Sequence, residues 1–147
     1  MGHPVIFDPT VIEVNGSPAP QGSKSRGRHG GMFETSKKVG PWRNAVRTET
    51  QSVITVPFDG PVKVEVSFYL ARPKSHYGTG RNAGVLKTTA LRYPTGVPDI
   101  DKLCRSTLDG LKEGGAYHDD AQVVHLVAHK VYVEARATGA TISISLI

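Results

Sequence analysis

A chain of 147 residues, 38% apolar and 21% charged, is long enough for one domain with a hydrophobic core and too apolar for a disordered chain. No stretch approaches the ~18 continuous apolar residues of a spanning helix, and the start has neither a basic leader nor a signal-type hydrophobic run, so a soluble cytoplasmic protein without a membrane partner is expected. The formal charge is +5, and the one cysteine, Cys104, excludes an internal disulfide framework.

The positive charge falls in two blocks. Lys24, Arg26, Arg28, Lys37, Lys38, Arg43 and Arg47 stand against a single acid, Glu34, and Arg72, Lys74, Arg81, Lys87 and Arg92 follow with none between them. Clustered cations focus a field and gain from counterion release, so a polyanion is the expected partner, with an ordinary solubilising surface as the alternative.

In chain order, Val5 to Val14 reads as a strand or hairpin closed by the Asn15-Gly16 turn pair. Residues 16–38 carry glycine and proline with almost nothing to bury and read as a flexible basic loop. Extended backbone there sets Lys24, Arg26 and Arg28 on one side for phosphate contacts. Pro41 opens a helix of about three turns, with Ser36 or a neighbour as its cap and Trp42, Ala45, Val46, Glu49 and Val53 at helical spacing. Trp42 is assigned to the core, against the alternative of a base-stacking platform. Val62 to Leu70 alternates cleanly as a half-buried strand.

Residues 72–97 form a second flexible basic loop, of a length uncommon in a compact domain unless it works. Tyr77 and Tyr93 either stack on bases or tether that loop to the body. Asp99 to Lys112 is the second helix. Ile100, Leu103, Cys104, Leu108 and Leu111 make its apolar stripe, with Cys104 buried, and Gly114-Gly115 stops it. Gln122 to Glu134 is apolar on both faces, which places it centrally in a sheet, and Ala140 to Ile147 adds a last alternating strand. The fold class is α/β of the α+β kind: a single domain over residues 1–147, with a mixed β-sheet packed with about two main helices.

Four carboxylates carry the chemistry. Asp99 and Asp101 are two residues apart at the helix start, so on extended backbone both side chains point the same way. Asp119 and Asp120 are adjacent, and only a turn lets both approach one centre. Like charges brought together need a cation, and oxygen-only donors suit Mg²⁺ or Mn²⁺ rather than zinc, giving metal candidates Asp99, Asp101, Asp119 and Asp120. The alternatives are helix capping for the first pair and turn chemistry for the second. Arg105, four residues after Asp101, either holds the scissile phosphate or pairs with Asp101 or Asp109. Asp109 reads as a structural partner of Arg105, and Lys130 as a phosphate contact or a side chain snorkelling from an apolar face. His125 and His129, four apart on a strand, lie ~13 Å apart and make a poor metal pair, while His118 stays open as a general base.

Pro98-Asp99-Ile100-Asp101-Lys102-Leu103, then Arg105, Leu108-Asp109, Leu111, Asp119-Asp120-Ala121-Gln122-Val123 and Lys130, resembles the signature of the RusA family of phage and prophage Holliday junction resolvases. GSPAPQGSKSRGRHGG and the Trp-containing helix after it resemble that family's opening. The resemblance implies a homodimeric endonuclease, encoded by a phage or prophage of a bacterial host, that makes paired nicks in four-way DNA with Mg²⁺ or Mn²⁺. It aligns Asp99, Asp101 and Asp120 with the essential acids and Asp119 with the adjacent one. Lys102 stands where the family usually has Asn, and Arg105 where it usually has a catalytic Lys. Arginine keeps the charge that stabilises phosphate but does not titrate, so proton transfer at this position is not expected. A nuclease for other branched DNA, a junction-binding protein that does not cleave, and a basic domain whose acids are structural are the competing readings.

Overall fold

The alternation from Val62 to Leu70 generates the strand on which the sheet is built. In the computed structural model, which describes residues 8–22, 24–26, 32–34, 37–134 and 136–147, the elements are β1 (Thr10–Asn15), β2 (Lys24–Arg26), β3 (Met32–Glu34), α1 (Val39–Val53), β4 (Val62–Leu70), α2 (Ile100–Glu113), β5 (Val123–Tyr132) and β6 (Gly139–Leu146). The main sheet runs β1-β6-β4-β5, and β2 and β3 pair separately. In the main sheet β4 and β5 pair in parallel, which demands a crossover, and α2 lies in that connection. The mixed α+β architecture expected from the sequence is therefore present.

One face of the sheet carries the core. Ile12 and Val14 of β1, Val62, Val64, Val66 and Phe68 of β4, and Ala140, Ile142 and Ile144 of β6 are buried together with Trp42, Val46, Leu103 and Leu111 from the helices. Trp42 is a core residue, as expected, and its indole Nε1 donates to Thr107 Oγ1 at 3.1 Å, which settles the one polar atom it buries.

The sequence places Gln122 to Glu134 at the centre of the sheet; β5 lies at its edge instead. Its inner face, Leu126, Ala128, Lys130 and Tyr132, sits beside the buried face of β4 in register. Its apolar residues are only partly covered, with Val124 63% and Leu126 41% exposed. Apolarity on both faces reflects the wall of a cleft on one side rather than a second covering layer.

Two details of the helices also differ from their periodicity. Helix α1 buries Trp42, Val46 and Thr50, whereas Glu49 and Val53 turn outward. The Thr50 hydroxyl donates to the Val46 carbonyl at 2.7 Å and so enters the core satisfied. That row packs on Gly110 of α2 and on Gly114, the C-cap just past its end, where a Cβ would stand 2.8 Å from Val46 Cβ and 2.6 Å from Thr50 Cβ respectively. The helix starts after Lys38 without a side-chain cap; the expected cap Ser36 lies outside the described residues.

The two basic connections have structure of their own. Part of residues 16–38 forms the β2–β3 ladder, with Lys24 opposite Glu34 and Arg26 opposite Met32. Within 72–97, short 3-10 turns at Lys74–His76 and Gly80–Asn82 and backbone bonds such as Lys87 N to His76 O (2.8 Å) fold the segment on itself.

Candidate active site

The start of α2 sets the first acids. Asp99 is its N-cap with extended backbone, but its carboxylate makes no capping bond and lies 3.7 Å from the Lys102 ammonium. Because the helix begins at Ile100, Asp101 is already in its first turn. Positions two apart on a helix face different ways, so the expected common direction of Asp99 and Asp101 is lost. Asp101 faces a cleft, and Asp99 stands outside its lining. Lys130 reaches across from β5 and donates to the Gly96 and Pro98 carbonyls, both at 2.9 Å, fixing the segment that delivers Asp99.

Helix α2 supplies one wall of the cleft through Ile100, Asp101, Cys104, Arg105, Leu108 and Asp109. Leu126 and Ala128 of β5 supply the other, and Asp120 enters from the turn between them. Asp101, Arg105 and Asp109 recur every four residues and form one charged stripe. Ile100 and Leu108, expected in the core stripe, line this cleft, which is why Ile100 remains partly exposed.

The adjacent acids divide as turn geometry requires. Asp119 caps the 3-10 turn Asp120–Gln122, accepting from Ala121 N at 2.9 Å. The Gln122 amide closes this capping box by accepting from the His118 and Asp119 N–H groups. Its Nε2 donates to Phe58 O and Gly60 O, fixing the turn to the body. Asp120 therefore points into the cleft. Burial raises its pKa, and Asp109, by hydrogen bonding and charge, raises it further, while Lys112 opposes them. Its Oδ1 is buried without a hydrogen-bond partner.

Asp109, read from the sequence as a structural partner of Arg105, also lines the cleft. It contacts Asp120, and its Oδ2 accepts from Gln21 Nε2 at 2.7 Å. Its four-residue step from Arg105, and that of Arg105 from Asp101, was the signal that marked it. The three carboxylates that line the cleft are oxygen-only donors, and the partnerless Asp120 oxygen fits a hard cation. They do not close on a common point: among the described residues no three His, Cys, Asp or Glu side chains form a ready metal cage.

The remaining candidates are scattered. Lys24 and Arg26 occupy alternate positions of β2, and Arg28 lies outside the described residues. Lys37 and Lys38 are exposed before α1. Arg43 bonds Glu113 and Arg47 bonds Asn44. Arg72 is largely enclosed: it pairs with Glu134 at 2.6 Å, donates to Leu91 O and lies over the Tyr132 ring. Lys74, Arg81, Lys87 and Arg92 are exposed. Of the loop tyrosines, Tyr93 is 57% exposed beneath the Arg92 guanidinium, whereas Tyr77 is half-buried. His125 and His129 lie on the other face of β5, in register with Lys63 and Ser67.

Residues 15–145 match the family described as Endodeoxyribonuclease RusA. The chain belongs to the RusA family. No curated protein matches it. Membership in the RusA family supports a junction-resolving nuclease function in general, and Asp101, Arg105 and Asp120 line one cleft of the chain. Among the described residues no helix is long and apolar enough to cross a membrane.

Proposed function

We propose that the protein is a metal-dependent, structure-selective endodeoxyribonuclease that resolves four-way junctions by paired symmetric nicks. We assign it to the cytoplasm of a bacterial host, encoded by a phage or prophage. The observation that carries this reading is the meeting of Asp101, Arg105 and Asp120 in one cleft of a RusA-family chain. Asp101 and Asp120 would hold Mg²⁺ or Mn²⁺ there, and the ion would supply Lewis acidity for activating water and stabilising the leaving oxygen of phosphodiester hydrolysis. Asp99, outside the cleft's lining, adds negative charge that helps draw the cation in, and Asp119 acts mainly by presenting Asp120.

Arg105 offers a fixed positive fork to the scissile phosphate and steadies the charge that develops on it, without moving a proton. Phosphates on either side of the cut are met by the basic residues: Lys24, Arg26 and Arg28 of the first segment, Lys37 and Lys38, Arg43 and Arg47 of α1, and Lys74, Arg81 and Lys87 of the second. Arg72 and Lys130, engaged with protein groups, shape the loop and the α2 approach. One subunit presents one cleft, so two cuts related by symmetry call for a homodimer.

The test is cleavage of an immobile four-way junction by the intact protein and by Asp120→Asn, with Mg²⁺, Mn²⁺ or EDTA. Cleavage with either metal, abolished by EDTA and by Asp120→Asn while junction binding persists, is the expected result. Junction binding without cleavage under either metal would favour a binding protein, and Arg105→Lys is then the variant to examine.

A further inference from the structure

The segment from Ala19 to Gly22 is laid along α2. Ser106, fully buried, donates from Oγ to Ala19 O at 2.6 Å, and Gln21 N donates to Lys102 O at 3.0 Å. Gln21 Nε2 then reaches Asp109 Oδ2 at 2.7 Å, across 88 positions of sequence. Gly22 follows with φ +112°, and a Cβ there would stand 2.6 Å from Arg105 Nη1. Each of these contacts falls on the stripe Lys102, Arg105, Ser106 and Asp109, so the strap's register on the helix is fixed from both backbone and side chains. It leads directly into β2, which begins at Lys24.

Gln21 is a neutral donor to Asp109, which lines the cleft with Asp120. Asp109 and Asp120 line the same cleft and interact, and the Gln21 amide adds a donor to the Asp109 carboxylate that helps fix its orientation. The buried Gln21 Oε1 and Asp120 Oδ1 have no hydrogen-bond partners, so the polar groups around Asp109 are poised but incompletely satisfied. An amide that fixes a carboxylate beside a metal site is the arrangement by which outer-shell groups tune metal affinity.

We propose that Gln21 is a positioning residue of the nuclease site: through Asp109 it sets the Asp120 carboxylate for the divalent cation. The strap thereby makes the N-terminal basic segment part of the catalytic centre. This rests on the function proposed above, and the experiment separates the two. Mn²⁺ binding is titrated by electron paramagnetic resonance in the absence of DNA, for the intact protein, Asp120→Asn, Gln21→Leu and the exchange Gln21→Glu with Asp109→Asn.

Gln21→Leu keeps the volume and removes the donor, and an outer-shell loss of this kind lowers Mn²⁺ affinity by about 10-fold, with kcat falling and KM for the junction unchanged. The exchange restores a hydrogen bond between the two positions but moves the negative charge away from Asp120. It is expected to recover thermal stability and not Mn²⁺ affinity, and it also serves if Gln21→Leu does not fold. Mn²⁺ affinity within twofold of the intact protein in Gln21→Leu, or full recovery of affinity in the exchange, would reduce Gln21 to a structural tie and overturn the inference. Unaltered Mn²⁺ binding by Asp120→Asn would instead remove the metal site itself, and this inference with it.

Discussion

Lys130 is a cation engaged by the protein's own backbone. Its two bonds to the Gly96 and Pro98 carbonyls hold the approach to Asp99, and its stem runs along the inner face of β5. Lys130→Met keeps the stem and loses both bonds, so a cost of about 1 kcal/mol in stability is expected. The larger effect should be on cleavage, with junction affinity in EDTA within twofold, as measured by gel shift beside single-turnover rates; equal losses in both would return Lys130 to the phosphate contacts. Cys104 is a different kind of neighbour to the site. Burial first, and Asp101 second, push its thiol up to about 11, so the reactive thiolate is scarce at neutral pH. Iodoacetamide at pH 8 should label it slowly in the native protein and rapidly in denaturant, as followed by mass spectrometry. The sequence was most informative about residues where one side chain had one environment available, as for Trp42 and Cys104. It was least so for Asp119 and Asp120, whose division between cap and cleft depends on the turn, and for Asp109, whose partner Gln21 is remote in sequence.

The helix pair depends on two absent side chains. At Gly110 a methyl would meet Val46 Cβ at 2.8 Å and the Arg43 carbonyl at 3.1 Å, and neither can retreat without separating α1 from α2. Gly110→Ala is therefore expected to destabilise by about 1–3 kcal/mol through overpacking. The melting temperature should fall by roughly 2–4 °C for each kcal/mol. Gly40→Ala, at a position of α1 with nothing within 4 Å, is the control and should melt within a degree or two of the parent or slightly above it. A Gly110→Ala protein as stable as the parent would show that the helices do not depend on this close approach. Strand β4 and both helices were legible because their patterns each report one buried face. The pattern of β5 reports a partly covered cleft wall, which from sequence looks the same as burial between two layers. The β2–β3 ladder had no apolar pattern to reveal it.

On the scale of the molecule, exposed basic residues lie on the helices, at Arg47, Arg105 and Lys112, and also on the segments that connect the core elements. Lys37 and Lys38 lie before α1, and Lys74, Arg81 and Lys87 lie in the connection before α2. Each phosphate contact contributes about one to the slope of log affinity against log salt, so Lys37→Glu with Lys38→Glu should lower that slope by about two. An unchanged slope would remove this pair from the DNA path. The proposed function requires two copies of one acidic cleft to act on a branched substrate. The most direct measurement maps nicks on all four end-labelled strands of an immobile junction in Mg²⁺, beside a linear duplex of the same sequence. Nicks at symmetry-related positions on two opposing strands, with the duplex intact, are the expected result. Equal cutting of the duplex, or nicks without symmetry on the junction, would contradict it.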